Sequence, residues 1–146
     1  MEYKNIICPV DGSDLGDKAL EDAVYISKVS NAKLLLVHVV EKWYKAGDVA
    51  THSPEWETIH EGWRGEGEDL LNKTKDKLEK TGFKNYEMVL REGDAAYEIV
   101  GVAIERNADI IVMASHRYSP LGKVFYGSVI DKVTKKSPCP VLWVFR

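Results

Sequence analysis

DIIVMASHRYSPLGKVFYGS, Asp109 to Ser128, is an apolar strand running into a polar loop that ends in Gly127-Ser128, with a helical pattern beyond it. Ile110 to Met113 are apolar without alternation. That pattern suits a strand covered on both faces, and such strands belong to parallel sheets. A loop between a buried strand and a helix is a natural place for phosphate, because the first turn of a helix leaves backbone N–H groups unpaired. Yet two positions where glycine would let the backbone close on an anion hold Ala114 and Arg117.

Working outward, four more strand-like runs appear: Ile6 to Val10, Leu34 to Val40, Tyr86 to Leu90 and Val141 to Phe145. Pro9 has no N–H to give a ladder, so regular pairing of the first run is expected to end beside it. Helical spacing fills the intervals. Leu15, Ala19, Leu20, Ala23 and Val24 form one stripe, with Asn31 as a left-handed stop. Asp94 is placed to cap a helix carrying Ala95, Ile99, Val100 and Ala103 and ending at Asn107. Ser13 or Asp14 caps the first helix in the same way.

The longest helical stripe is Trp56, Ile59, Trp63, Gly67, Leu70, Leu71, Thr74 and Leu78, stopping at Gly82. Gly62, Gly65 and Gly67 each cost it ~1 kcal/mol relative to alanine, so the helix either breaks or starts late there. Gly67 falls on the inner stripe, where close approach to a sheet explains it. The stretch from Glu41 to Pro54 reads as a loop. The order β-α-β-α-β-α-β-α-β over residues 1–146 predicts one α/β domain, a parallel five-stranded sheet between two helical layers.

Composition narrows the function. The chain has 146 residues, 45% of them hydrophobic and 29% charged, with a formal net charge of -3, which offers no cationic field for nucleic acid. No apolar run approaches the ~20 residues that span a bilayer. The N-terminal MEYKNIICPV lacks the parts of a signal peptide. Cys8 and Cys139 sit in or beside apolar segments without metal-ligand spacing, which points to reduced core residues and a cytoplasmic protein.

Several segments together resemble the universal stress protein family over nearly the whole length: PVDGSDLGDKAL, LLLVHVVE, REGDAAYEIV, ADIIVMASH, YGSVIDKV and SPCPVLWV, in that order. The resemblance implies a Rossmann-like three-layer sandwich of the adenine nucleotide alpha hydrolase-like type, with strand order 3-2-1-4-5. It also implies a dimer, and in some members a bound ATP. ATP-binding members carry G-x2-G-x9-G-[ST] after the fourth strand. In this chain the two leading glycines fall on Ala114 and Arg117, the spacing is kept, and the closing Gly127-Ser128 is present. By the same resemblance Asp11 faces the adenosine, the Val39 backbone lies against adenine, and Gly127 and Ser128 offer N–H groups and a hydroxyl to phosphate. His116 is a further candidate, since it lies in that loop and titrates near neutral pH.

Each candidate also has a plainer role. Asp11 in Asp-Gly-Ser forms a turn and caps the following backbone. His38 within an apolar strand is a core histidine with a satisfied partner. Lys132, Lys135 and Lys136 complement a helix C-terminus. Ala114 adds one methyl, tolerable unless the backbone needs a positive φ or the ligand touches Cα. Arg117 either fills phosphate volume or pairs with phosphate oxygens through its guanidinium.

No nucleophile elbow, metal motif or complete P-loop is present, and catalysis is not expected. The expected function is a stress-response regulator that binds ATP or another adenine nucleotide and signals through a protein partner. The alternative is a nucleotide-independent interaction protein in which the loop is structural. The terminal strand Val141 to Phe145 leaves an apolar edge that a second copy would cover, which predicts a homodimer.

Overall fold

The computed structural model describes residues 2–41, 53–115 and 128–145, without the side chain of Ser128. The elements are β1 (Asn5–Pro9), α1 (Asp14–Ser30), β2 (Lys33–Val40), α2 (Pro54–Lys80), β3 (Tyr86–Glu92), α3 (Ala95–Glu105), β4 (Ile110–Ala114), α4 (Ser128–Lys136) and β5 (Val141–Val144). The strands form one parallel sheet in the order β3-β2-β1-β4-β5. This is the predicted order.

Alternation along the strands divides the core into two layers. Ile6, Cys8, Leu34, Leu36, Ile110 and Val112 turn to one face, under Ala19, Leu20 and Ala23 of α1 and Leu71 and Leu78 of α2. Ile7, Leu35, Val37, Ile111 and Met113 turn to the other, under Ala96, Ile99 and Val102 of α3 and Ile130 and Val133 of α4. Burial on both faces is why β1, β2 and β4 read as continuous apolar runs rather than alternating ones. Two carboxylate contacts hold the opposite end of the sheet, where Asp109 Oδ2 accepts from the backbone N–H of Lys4 (2.7 Å) and Asn5 (2.9 Å). Asp109 therefore serves as a clamp just before β4.

The helix ends follow local chemistry. Ser13 caps α1, its Oγ accepting from Gly16 N–H, and Asn31 stops it with φ 56°. Asp94 caps α3 through Tyr97 N–H. Asn107 after α3 has φ 49°. Ser53 caps α2 with Pro54 in its first turn, and the 27-residue helix passes through Gly62 and Gly65 without a break. A Cβ at either glycine would meet nothing within 4 Å, so neither packs against the sheet. Gly67 differs, since its Cβ would lie 2.9 Å from Val40 Cγ2 and 3.0 Å from Leu90 Cδ1. Close approach of helix to sheet is the reason for this glycine.

β3 runs to Glu92, two residues beyond the apolar run, because Val39 and Val40 of β2 continue the ladder opposite Arg91 and Glu92. Polar residues are tolerated there because β3 is an edge strand. The region from 42 to 52, part of the predicted loop, lies outside the described residues.

Candidate functional site

The carboxyl ends of β1, β2 and β4 meet around a cavity of about 360 Å³. In a doubly wound sheet this edge is where the strand order reverses between β1 and β4 and the connections part to opposite faces. Val37, Val39, Ile99, Met113 and Ile130 supply apolar walls, and Asp11 and Glu41 bring carboxylates to the lining. An apolar slot with a few convergent polar groups is the usual build of a small-molecule site.

The structure brings three of the sequence-predicted residues together, since Asp11, Val39 and Ala114 all line this cavity. Asp11 also performs its plainer role. Its Oδ1 accepts from Ser13 N–H (2.9 Å) and Ser13 Oγ (2.6 Å), which holds the capping serine of α1 in place. Ala114 closes β4 in register with Val144, and its φ is not among the positive values of the described residues. A methyl at this position therefore needs no left-handed backbone. Ser128 begins α4, and the neighbouring Val129 and Ile130 line the cavity. His116, Arg117 and Gly127 lie outside the described residues.

His38 belongs to the site's frame. Its Nδ1 lies 2.7 Å from the Val10 carbonyl oxygen, which can only accept, so the ring carries a proton on Nδ1 and ties β2 to the end of β1. Val10 N–H donates to the Val37 carbonyl at 2.8 Å and carries the β1–β2 pairing past Pro9. Burial, helped by the charge of Asp11, pushes the neighbouring Cys8 thiol up to about 12, which leaves it a neutral core group.

Two helix N-termini at this cavity are filled by the protein's own side chains. Ser13, braced by Asp11, occupies α1. At α3, Asp94 Oδ2 accepts from Tyr97 N–H (2.9 Å) and Glu41 Oε1 accepts from Ala95 N–H (3.0 Å). In the sequence Glu41 marks only the start of a loop. Its partner lies 54 residues away, and no local pattern marks that contact.

On the α2 side a second cavity of about 350 Å³ shares Asp11, His38, Val39 and Glu41 with the first and adds Trp63, Glu66 and Gly67. Nearby, Glu92 accepts from His60 Nε2 and Arg64 Nη1, both at 2.8 Å, and Trp56 stacks on the His60 ring with centroids 4.6 Å apart. These contacts fix the first half of α2 to the end of β3. Among the described residues, no group of three or more His, Cys, Asp or Glu side chains is placed to hold a metal ion. Among them, too, no helix is long and apolar enough to cross a membrane.

A sequence model of the universal stress protein family matches residues 2–144. The chain belongs to the universal stress protein family. Among curated relatives, Universal stress protein MJ0531 of Methanocaldococcus jannaschii is 38% identical over 142 residues, covering 97% of this chain and 82% of the relative. Among solved structures, hypothetical protein MJ0577, also of Methanocaldococcus jannaschii, superposes with a TM-score of 0.81 at 28% identity, covering 100% of this chain and 98% of that one. A universal stress protein family protein of Arabidopsis thaliana with AMP bound matches in fold, with a TM-score of 0.68 at 21% identity over 98% of this chain and 92% of that one. Membership of the family agrees with the strand order β3-β2-β1-β4-β5.

Proposed function

We propose that this universal stress protein is a regulatory protein that binds an adenine nucleotide in the cavity at the ends of β1, β2 and β4, and acts through a protein partner rather than by catalysis. The observation that carries the reading is the cavity itself, where apolar walls from β2, β4, α3 and α4 meet acceptors at Asp11 and Glu41. Its dimensions suit a nucleoside, since small-ligand pockets run from ~300 Å³ upward. Phosphate would lie toward the start of α4, where a helix N-terminus favours anions. AMP bound in the Arabidopsis relative supports the ligand class. Ala114 is compatible with this use, because its backbone is a regular strand end.

Two measurements test the reading. Heat-denatured protein is centrifuged and the supernatant analysed for nucleotide, and the purified chain is titrated calorimetrically with ATP and with AMP. Nucleotide in the supernatant, or saturable heat with either ligand, is the expected result. A clean supernatant with no binding heat rejects the reading in favour of a nucleotide-independent interaction protein. In the same titration Arg117→Gly separates two roles: weaker ATP binding means that the guanidinium holds phosphate, and tighter binding means that it obstructs.

The reading also includes pairing of two copies through β5. Its support is the apolar character of that edge, where Leu142 is 38% and Phe145 is 51% exposed.

A further inference from the structure

Glu41 stands where the apolar slot meets the N-terminus of α3. Its carboxylate accepts from Ala95 N–H at 3.0 Å and lines the same cavity as Val39 and Ile99. Ala95 and Ile99 lie about one turn apart on α3, so the carboxylate edges the slot that Ile99 walls. Two consequences follow from the chemistry of an anchored carboxylate.

First, the α3 end of the cavity is closed to phosphate. Its helix N-terminus is already served by Glu41 and Asp94, and a further anion would meet like charge. The N-terminus of α1 is likewise filled by Ser13, which Asp11 braces. A nucleotide in this cavity therefore runs from α3 toward α4, with its phosphates away from Glu41 and its base in the slot walled by Val37, Val39, Ile99 and Met113. Second, a carboxylate only accepts hydrogen bonds, so whatever base edge meets it must carry a donor. Adenine has one such donor on its ring edge, the 6-amino group.

We infer that Glu41 is a specificity-determining residue that reads the 6-amino group of the base. The inference rests on the adenine-nucleotide reading above. It adds to that reading a residue whose job is to discriminate between bases, and to do so with a side chain that simultaneously caps a helix. The cap holds the carboxylate in one place, which is what selectivity by a single hydrogen bond requires.

The test compares AMP with purine riboside monophosphate, the same nucleotide with hydrogen in place of the amino group, by calorimetry on the unmodified chain and on Glu41→Gln. Loss of a donor to a charged acceptor is worth ~10-fold or more in affinity, so AMP is expected to bind the unmodified chain at least that much tighter. In Glu41→Gln the one carbonyl oxygen stays with Ala95 N–H, an amide nitrogen replaces the second oxygen toward the base, and the ratio is expected to shrink to about threefold or less. Glutamine keeps a carbonyl oxygen for Ala95 N–H, and an unchanged thermal midpoint confirms that the fold is retained.

A ratio that is the same in both proteins overturns the inference. So does tighter binding of GMP than AMP by the unmodified chain, since the carboxylate would then be reading the N1 and 2-amino edge of guanine. Saturable AMP binding with an unchanged ratio removes the role of Glu41 alone. No binding of AMP or ATP by the unmodified chain removes the nucleotide reading and, with it, this inference.

Discussion

Gly62 and Gly67 lie five residues apart on α2 and meet opposite surroundings, so the same substitution should have opposite signs. A Cβ on Gly67 would press to 2.9 Å against Val40 Cγ2 and 3.2 Å against His38 Cδ2, both on the strand that frames the cavity. Gly67→Ala is expected to destabilise by ~1–3 kcal/mol, as overpacking does. Gly62→Ala meets nothing within 4 Å and should gain up to ~1 kcal/mol from helix propensity alone. Paired urea denaturation curves check both, and a gain at Gly67 would show that the helix can lift off the sheet at little cost. Cys8 offers a second test at this scale. Burial, aided by Asp11, raises the folded thiol to about 12, while the unfolded thiol titrates near its ordinary value of 9.0. Between those two values the unfolded chain loses a proton that the folded chain keeps, so stability is full below about pH 9 and falls as pH rises toward about 12. The slope is at most ~1.4 kcal/mol per pH unit. Denaturation midpoints at pH 8, 9 and 10 (measured for the natural chain and for Cys8→Ala) should diverge in slope; parallel curves would mean that the thiolate is accommodated in the sheet.

Helix α2 owes its first half to tertiary contacts rather than to propensity. Gly62 and Gly65 weaken it locally, and His60, Arg64 and the stacked Trp56 fasten it to Glu92 at the end of β3. Partly exposed pairs of this sort add only ~0–1 kcal/mol to global stability. Their effect on local opening is larger, because no residue from 54 to 66 is buried and the buried ones begin at Gly67. Glu92→Ala is therefore expected to speed amide hydrogen exchange in the first half of α2 while amides after Leu71 keep their protection. Uniform protection along the helix would assign its continuity to propensity instead. The same helix shows what sequence could reveal. The apolar stripes, the capping residues Ser13 and Asp94 and the left-handed Asn31 and Asn107 act within a few residues of their own position, so spacing exposes them. Gly67 was legible for the same reason, as a glycine on an inner stripe. Glu41 and Glu92 were not, since each acts on a partner brought near only by the sheet: Ala95 for one, His60 and Arg64 for the other. The extension of β3 to Glu92 was hidden too, because an edge strand can end in charged residues and lose its apolar signature.

At the scale of the whole molecule, the sheet has two edges, β3 and β5, and they are built differently. On β3, Glu87 pairs with Arg106 at 2.6 Å and Arg91 pairs with Glu105. The Arg106 hydrogen bonds hold the Glu87 carboxyl below its usual range, so this edge stays charged at neutral pH. Charge on an edge strand discourages a second chain from adding to it. On β5 the exposed position is Leu142, the exposed Phe145 follows the strand, and Trp143 packs beside Phe145 with ring centroids 6.1 Å apart. This edge is short and apolar, and pairing about a two-fold axis would cover both its backbone groups and its side chains. The expected assembly is accordingly a homodimer through β5, with β3 facing solvent. Leu142→Lys is the informative substitution, because Leu142 is 38% exposed whereas Val144, at 4%, belongs to the core and its replacement would unfold the chain. Light scattering coupled to size exclusion should give the mass of two chains for the natural protein, and for Leu142→Lys a shift toward one chain with the thermal midpoint of the monomer preserved. A natural protein that runs as a single chain at every concentration would show that the apolar edge of β5 serves some other partner, and an unshifted Leu142→Lys dimer would move the interface away from β5 altogether.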